Sequence, residues 1–144
     1  MSVSNYLGIN YSGFSINITW ETRTTACGAP TSISFSSVVK PGGTLTISWS
    51  GATDGTNNTI TGYDVYYRLG SAPTTTGYQE RKLGVTGTST TFTIPTTAAR
   101  GTTFYAMVRT RGTAGSSYYS GFKSGSGGKV NTLPTTPTVT FNYS

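Results

Sequence analysis

The 144-residue chain contains no histidine, one cysteine (Cys27) and four acidic residues, Glu21, Asp54, Asp64 and Glu80. Each scarcity closes off a kind of chemistry. Without histidine, the chain lacks the side chain most used as a general base near neutral pH and as a metal ligand. A single cysteine makes no internal disulfide and has no sulfur partner for a metal, so Cys27 is expected to be a small buried thiol. The four carboxylates sit in four different segments, which argues against a paired acid and base for glycoside hydrolysis. No apolar run is long enough for a helical membrane span. The opening residues, MSVSNYLGINYSG, lack the basic start and apolar stretch of a secretory leader. Read from Met1, the chain is expected to remain in the cytoplasm that makes it until something else releases it.

Smaller motifs are weak for the same reason. Asp54 opens DGTNN, but one carboxylate falls short of the six to eight oxygens around calcium. The Gly-Ser stretch 124–128 has no Lys-Ser/Thr ending and no following helix, so it is not expected to cradle phosphate. Asp64 and Glu80 stand on segments that can be neighbouring strands, where Arg68, Arg81 and Lys82 are expected to neutralise them. Arg-Gly-Thr occurs at Arg100–Thr102 and Arg111–Thr113. The second is expected to be a turn, with Gly112 and Gly115 at positive φ. No catalytic residue, metal or cofactor is expected.

Ten Lys and Arg against four acids leave a formal net charge of +6. A basic chain suits anionic polymers or acidic partners. No basic block longer than Arg81-Lys82 exists, so nucleic acid is not an expected partner. Hydrophobic residues make up 34% of the chain, and Thr, Ser, Gly and Asn fill much of the rest. Such a balance favours short strands and many turns, because β-branched Thr suits a half-buried pleated surface. Eighteen aromatics (10 Tyr, 6 Phe, 2 Trp) argue against disorder.

Alternation with period two recurs along the chain. Strands are expected at 31–38 (Ile33, Phe35), 41–50 (Leu45, Ile47, Trp49) and 61–69 (Tyr63, Val65, Tyr67). Others are expected at 77–84, a polar edge strand, and at 88–95 (Phe92, Ile94). The set closes with 102–111 (Phe104, Ala106, Val108), 116–125 and 127–132. This pattern reads as an all-β antiparallel sandwich. The residues GATDGTNNTI, between Trp49 and Tyr63, read as the loop joining two sheets.

From Ala29 to about Asn131, the order APTSISF, LTISWSGA, ITGYDVYYR, TFTIP and RGTTFYAMVRTRGTAGSSYYS resembles a fibronectin type III domain. The resemblance implies an immunoglobulin-like sandwich. It departs at Phe104, where the family usually has a tyrosine whose hydroxyl bonds the preceding corner; that corner must be held otherwise. Some members carry an integrin-binding Arg-Gly-Asp where Arg111-Gly112-Thr113 stands, and Thr113 lacks the carboxylate. The Thr/Ser-rich character and the trailing NTLPTTPTV look like modules in structural proteins of tailed bacteriophages and prophages. The resemblance therefore implies a non-enzymatic virion protein in a tail, fibre or capsid-surface decoration. Its partners would be other virion subunits, in a homo-oligomer or larger assembly, with adhesion to a host-surface glycan as an added role. An accessory spacer or carbohydrate-binding module of a secreted bacterial glycoside hydrolase is the alternative.

The chain divides into an N-terminal segment 1–28, the sandwich 29–132, and a Pro/Thr hinge with a terminal strand or module stub, 133–144. In the first, Phe14, Ile16, Ile18 and Trp20 alternate with polar residues. This amphipathic strand either adds to a sheet of another subunit, or packs on its own domain or belongs to a small N-terminal β element. In the sandwich, alternation places Tyr66, Arg68, Tyr105, Met107, Arg109 and Arg111 outward on two neighbouring strands. That face reads either as an interface rich in anchor residues or as a solvated surface whose rings shield arginine stems.

Overall fold

The computed structural model describes residues 23–132. Eight strands follow one another: β1 Ser32–Phe35, β2 Val38–Val39, β3 Thr44–Ser50, β4 Ile60–Leu69, β5 Glu80–Val85, β6 Ser89–Thr93, β7 Thr103–Gly112 and β8 Lys123–Val130. One 3-10 turn, Ser116–Tyr118, precedes β8. The strands form a three-stranded sheet, β1-β3-β6, and a five-stranded sheet, β2-β8-β7-β4-β5. All pairs are antiparallel except β2 on β8. The expected all-β sandwich is present.

Alternation builds the core. Leu45, Ile47 and Trp49 of β3, with Phe92 and Ile94, belong to one buried cluster with Tyr63, Val65 and Tyr67 of β4 and Phe104, Ala106 and Val108 of β7. Fully burying such a side chain contributes roughly 1.5–3 kcal/mol. Trp49 meets Tyr63 edge-on at 5.3 Å, and Tyr67 lies against Phe92 at 4.6 Å. The polar strand β5 lies at an edge of the larger sheet, as its charges suggest.

Two strand expectations need correction. Residues 31–38 do not form one strand. Ser36 still pairs with Thr46 beside β1, whereas the Ser37 carbonyl accepts from Lys129 of the other sheet. The chain therefore crosses between sheets at this point, and β2 buries Val39 against β8. Residues 116–125 and 127–132 are not two strands either. A 3-10 turn is followed by one strand, because the glycines of 125–128 do not mark a turn. Gly125 and Gly127 make room for β1: a Cβ there would lie 3.2 Å from Ile33 Cβ and 3.1 Å from Phe35 Cδ1.

The corner before β7 is held without a tyrosine hydroxyl. Phe104 is fully buried, and the Gly101 amide, at φ 84°, donates to the Val130 carbonyl at 2.9 Å. Within the corner, Ala98 N–H donates to Pro95 O and Thr102 N–H to Ala99 O.

Tyr67 carries a buried hydroxyl with no hydrogen-bond partner among the described residues. Burial first, then the nearby Glu80 carboxylate, push its phenol up from 10.0 to about 12. Below pH 10 the phenol is neutral in both folded and unfolded chains. Between about pH 10 and 12 only the unfolded chain gives up the proton, so stability falls across that window, by about 2–3 kcal/mol. Tyr67→Phe is expected to raise neutral-pH stability by about 1 kcal/mol, since it removes an unpaired buried polar atom. Urea titrations at pH 7 and pH 11 check both points. The gap between variant and parent should widen at the higher pH; a constant gap would sink the account.

Candidate interaction face

The register between β4 and β7 sets Asp64 opposite Arg109, Tyr66 opposite Met107 and Arg68 opposite Tyr105, with Gly62 opposite Arg111. All these side chains lie on the face turned away from the smaller sheet, because their neighbours Tyr63, Val65, Tyr67, Ala106 and Val108 face the core. The structure thus brings the six sequence-predicted face residues together.

It adds a layer that the pattern did not show. β5 sets Arg81 opposite Tyr66, just after Tyr78 in the chain. The segment before β8 contributes Tyr119 and Phe122. Tyr78 and Phe122 meet the Tyr66 ring edge-on at 5.1 and 5.5 Å. The Arg81 guanidinium lies 5.8 Å from the Tyr66 centroid and 5.3 Å from that of Tyr78, and it donates to Tyr66 Oη at 3.3 Å. Tyr66 and Met107 do point outward, yet they are only 3% and 5% exposed. They form the floor of a second layer, and the arginines form its surface. The Tyr66 hydrogen bond, foremost, holds the Arg81 pKa above its ordinary value.

Asp64 sits at the centre with no exposed surface. Its Oδ2 accepts from Arg109 Nε at 2.8 Å and its Oδ1 from Arg111 Nε at 2.6 Å. Gly84 donates a third bond to Oδ1 at 3.1 Å. Gly84 stands at φ 71° where the β4–β5 register shifts, which turns its amide out of the ladder and toward the carboxylate. The hydrogen bond to Asp64, foremost, raises the Arg111 pKa. Arg109 lies over Phe122 at 4.9 Å and over Tyr119 at 5.1 Å, while Arg111 lies over Tyr119 at 5.2 Å. The two arginine side chains keep 30% and 28% of their surface exposed.

The expected neutralisation of Asp64 and Glu80 by Arg68, Arg81 and Lys82 is corrected here. Glu80 pairs with Tyr67, so it lies on the opposite side of the sheet from Asp64. The partners of Asp64 come instead from β7, across the strand pair. Lys82, on the side of Glu80, donates to the Thr91 carbonyl of β6.

The loop 51–59 is folded onto its surroundings. Asp54 Oδ1 accepts from Ile60 N–H at 2.8 Å, which is a turn role. Asn58, 2% exposed, donates through Nδ2 to the carbonyls of Thr25 (3.0 Å) and Tyr118 (3.2 Å). Its Oδ1 accepts from Ala114 N–H at 3.0 Å. Cys27, a buried thiol as expected, points Sγ at the Asn58 carbonyl, 3.6 Å away. Gly115 has φ 97°, as the turn reading requires, but Gly112 does not adopt positive φ. Gly112 is needed for close approach: a Cβ there would meet Asn58 Oδ1 at 2.0 Å and Cys27 Sγ at 2.7 Å. Nothing in the loop composition singled out Asn58, because its partners lie 33, 56 and 60 residues away.

Among the described residues no group of three or more His, Cys, Asp or Glu side chains is placed to hold a metal ion. No helix among them is long and apolar enough to cross a membrane. The amphipathic strand with Phe14, Ile16, Ile18 and Trp20, and the hinge 133–144, lie outside the described residues.

No family model matches the chain, and no curated protein sequence does. A solved structure described as "Myokine structure" is similar to it at 13% identity and a TM-score of 0.43, over 67% of this chain and 93% of that one.

Proposed function

We propose that the chain is a fibronectin type III-like module that acts by contact and not by catalysis, as a structural component of a tailed-phage type of virion. The strand order β1-β3-β6 facing β2-β8-β7-β4-β5 supports the fibronectin type III reading, together with the motif order from Ala29 onward. The virion setting rests on the Thr/Ser-rich resemblance. One observation carries the contact role: the outer face of β4 and β7 presents arginines held in place by a shared buried carboxylate and by aromatic rings. Arginine and aromatic side chains in this state bind at low ordering cost. The partner is another virion subunit or an anionic host-surface polymer. A platform for neutral sugars would leave several ring faces open, whereas guanidinium groups lie over Tyr78, Tyr119 and Phe122 here and, among the described residues, only Tyr105 of this face has no such cover.

Quantitative mass spectrometry of particles purified from a producing culture tests this. Peptides of the chain are expected at a fixed ratio to the major tail or capsid protein. Their loss from particles on density-gradient purification would overturn the virion reading.

A further inference from the structure

We propose that the outer face of the larger sheet binds a base-free phosphodiester polymer, such as a poly(glycerol phosphate). The inference rests on the contact role proposed above for that face and names its ligand.

Charge points to an anion. Arg68, Arg81, Arg109 and Arg111 stand on this face with one carboxylate, Asp64, which leaves a surplus of three positive charges (four minus one). The other described acids are elsewhere: Asp54 is in the β3–β4 loop, and Glu80 is on the opposite side of the sheet. Arg109 and Arg111 both use Nε to bind Asp64. Neither bond engages a terminal nitrogen, and the two side chains keep 30% and 28% of their surface exposed. The two arginines are two residues apart on one strand, about 7 Å along the backbone, and their guanidinium groups converge on Asp64 and Tyr119, so they offer a pair of fixed charges to an extended chain.

Hydrogen-bonding character narrows the class. A guanidinium donates and never accepts. The one carboxylate of the face is fully buried and already takes three bonds. A surface dominated by donors suits a ligand that offers acceptors, and a phosphodiester offers acceptor oxygens that match the arginine fork. A uronic-acid polysaccharide brings more hydroxyl donors per charge than a poly(glycerol phosphate), and the face has no free carboxylate to receive them. A nucleic acid is disfavoured differently. Single strands bind by stacking successive bases on open rings, and here Tyr66 is buried and Tyr78, Tyr119 and Phe122 sit under guanidinium groups, which leaves Tyr105, among the described residues, as the one ring of the face for a base to stack on.

Titration of the full chain with poly(glycerol phosphate) of about 25 units, followed calorimetrically, tests the proposal. Matched titrations use poly-glutamate of equal charge, a deoxyoligonucleotide and neutral dextran. Binding is expected to the polyol phosphate alone at comparable strength, and to weaken at least tenfold between about 50 and 300 mM salt. Replacing Arg109 and Arg111 removes the partners of Asp64, so the first variant is D64N/R109Q/R111Q, checked for folding by circular dichroism. It should lose at least tenfold in affinity. The second, R68Q/R81Q, leaves Asp64 and its two arginines in place and should lose three- to tenfold. Parent-like affinity in both variants would overturn the proposal, as would no binding of the parent to polyol phosphate. Equal or tighter binding of poly-glutamate would assign the face to an acidic protein partner; equal or tighter binding of the oligonucleotide would assign it to nucleic acid. None of these outcomes bears on whether the chain is found in particles, so the virion reading stands or falls separately.

Discussion

Replacing Arg109 and Arg111 together with methionine is expected to lower folding stability by about 3–5 kcal/mol. The argument starts from Asp64, whose carboxylate has no exposed surface and holds three donors, two of them these arginines. The arginine side chains are about 30% exposed, so their own desolvation is modest. The cost of the double variant therefore falls on the carboxylate, left buried with only the Gly84 amide. Exposed ion pairs contribute only about 0–1 kcal/mol, so the size of the loss discriminates between a buried and a surface pair. Adding Asp64→Asn to the double variant removes the buried charge and should recover more than half of the deficit. Urea unfolding at pH 7 measures both quantities. A loss below 1 kcal/mol at pH 7, or no recovery on adding Asp64→Asn, would show that Asp64 is not the organising group of this face.

This arrangement explains why the face was only half legible in the sequence. Period-two alternation reports which side of a sheet a residue takes, and it placed Tyr66, Arg68, Tyr105, Met107, Arg109 and Arg111 on one side. It does not report what covers that side. Tyr66 and Met107 are buried because Tyr78, Arg81 and Phe122 come from β5 and the segment before β8, and no local period relates those residues to β4. Charge pairing failed for a similar reason. The arginines and lysine nearest Asp64 and Glu80 in the sequence were the expected partners, but register sends Glu80 and Lys82 to the opposite side and brings Arg109 from 45 residues away. Glycine was misread in β8, where the absence of a side chain serves the packing of Ile33 and Phe35 and makes no turn. The core strands were legible because burial on one face leaves a repeating signal in every one of them. Crossing between sheets at Ser36–Ser37 leaves none.

Asn58→Ala is expected to cost about 2–4 kcal/mol, although Asn58 lies in a loop. The side chain closes three hydrogen bonds to two separate segments: one to the carbonyl of Thr25, and two to the β7–β8 connection, at the carbonyl of Tyr118 and the amide of Ala114. Truncation leaves those backbone groups without their partner, and each unpaired buried group costs about 1–3 kcal/mol where water cannot replace the bond. The lower end of the range applies if water enters, since the three bonds are only partly buried. Asn58→Asp is the sharper test. It keeps an acceptor for Ala114 but turns an oxygen, in place of Nδ2, toward two carbonyl oxygens. At neutral pH it should be at least as damaging as alanine. Asp54→Asn in the same loop keeps an oxygen for Ile60 N–H and should change stability by less than about 1 kcal/mol. Thermal unfolding ranks the three variants. Amide exchange locates the effect: Ala114 N–H loses its acceptor directly, and Cys27 N–H, bonded to Tyr118 O at 3.4 Å, should exchange faster as the segments separate. If exchange at Ala114 and Cys27 were unchanged in Asn58→Ala, the loop would be an independent turn. If it rises, GATDGTNNTI is the clasp that fixes residues 25–28 and 113–120 at one end of the sandwich, beside the strand carrying Asp64.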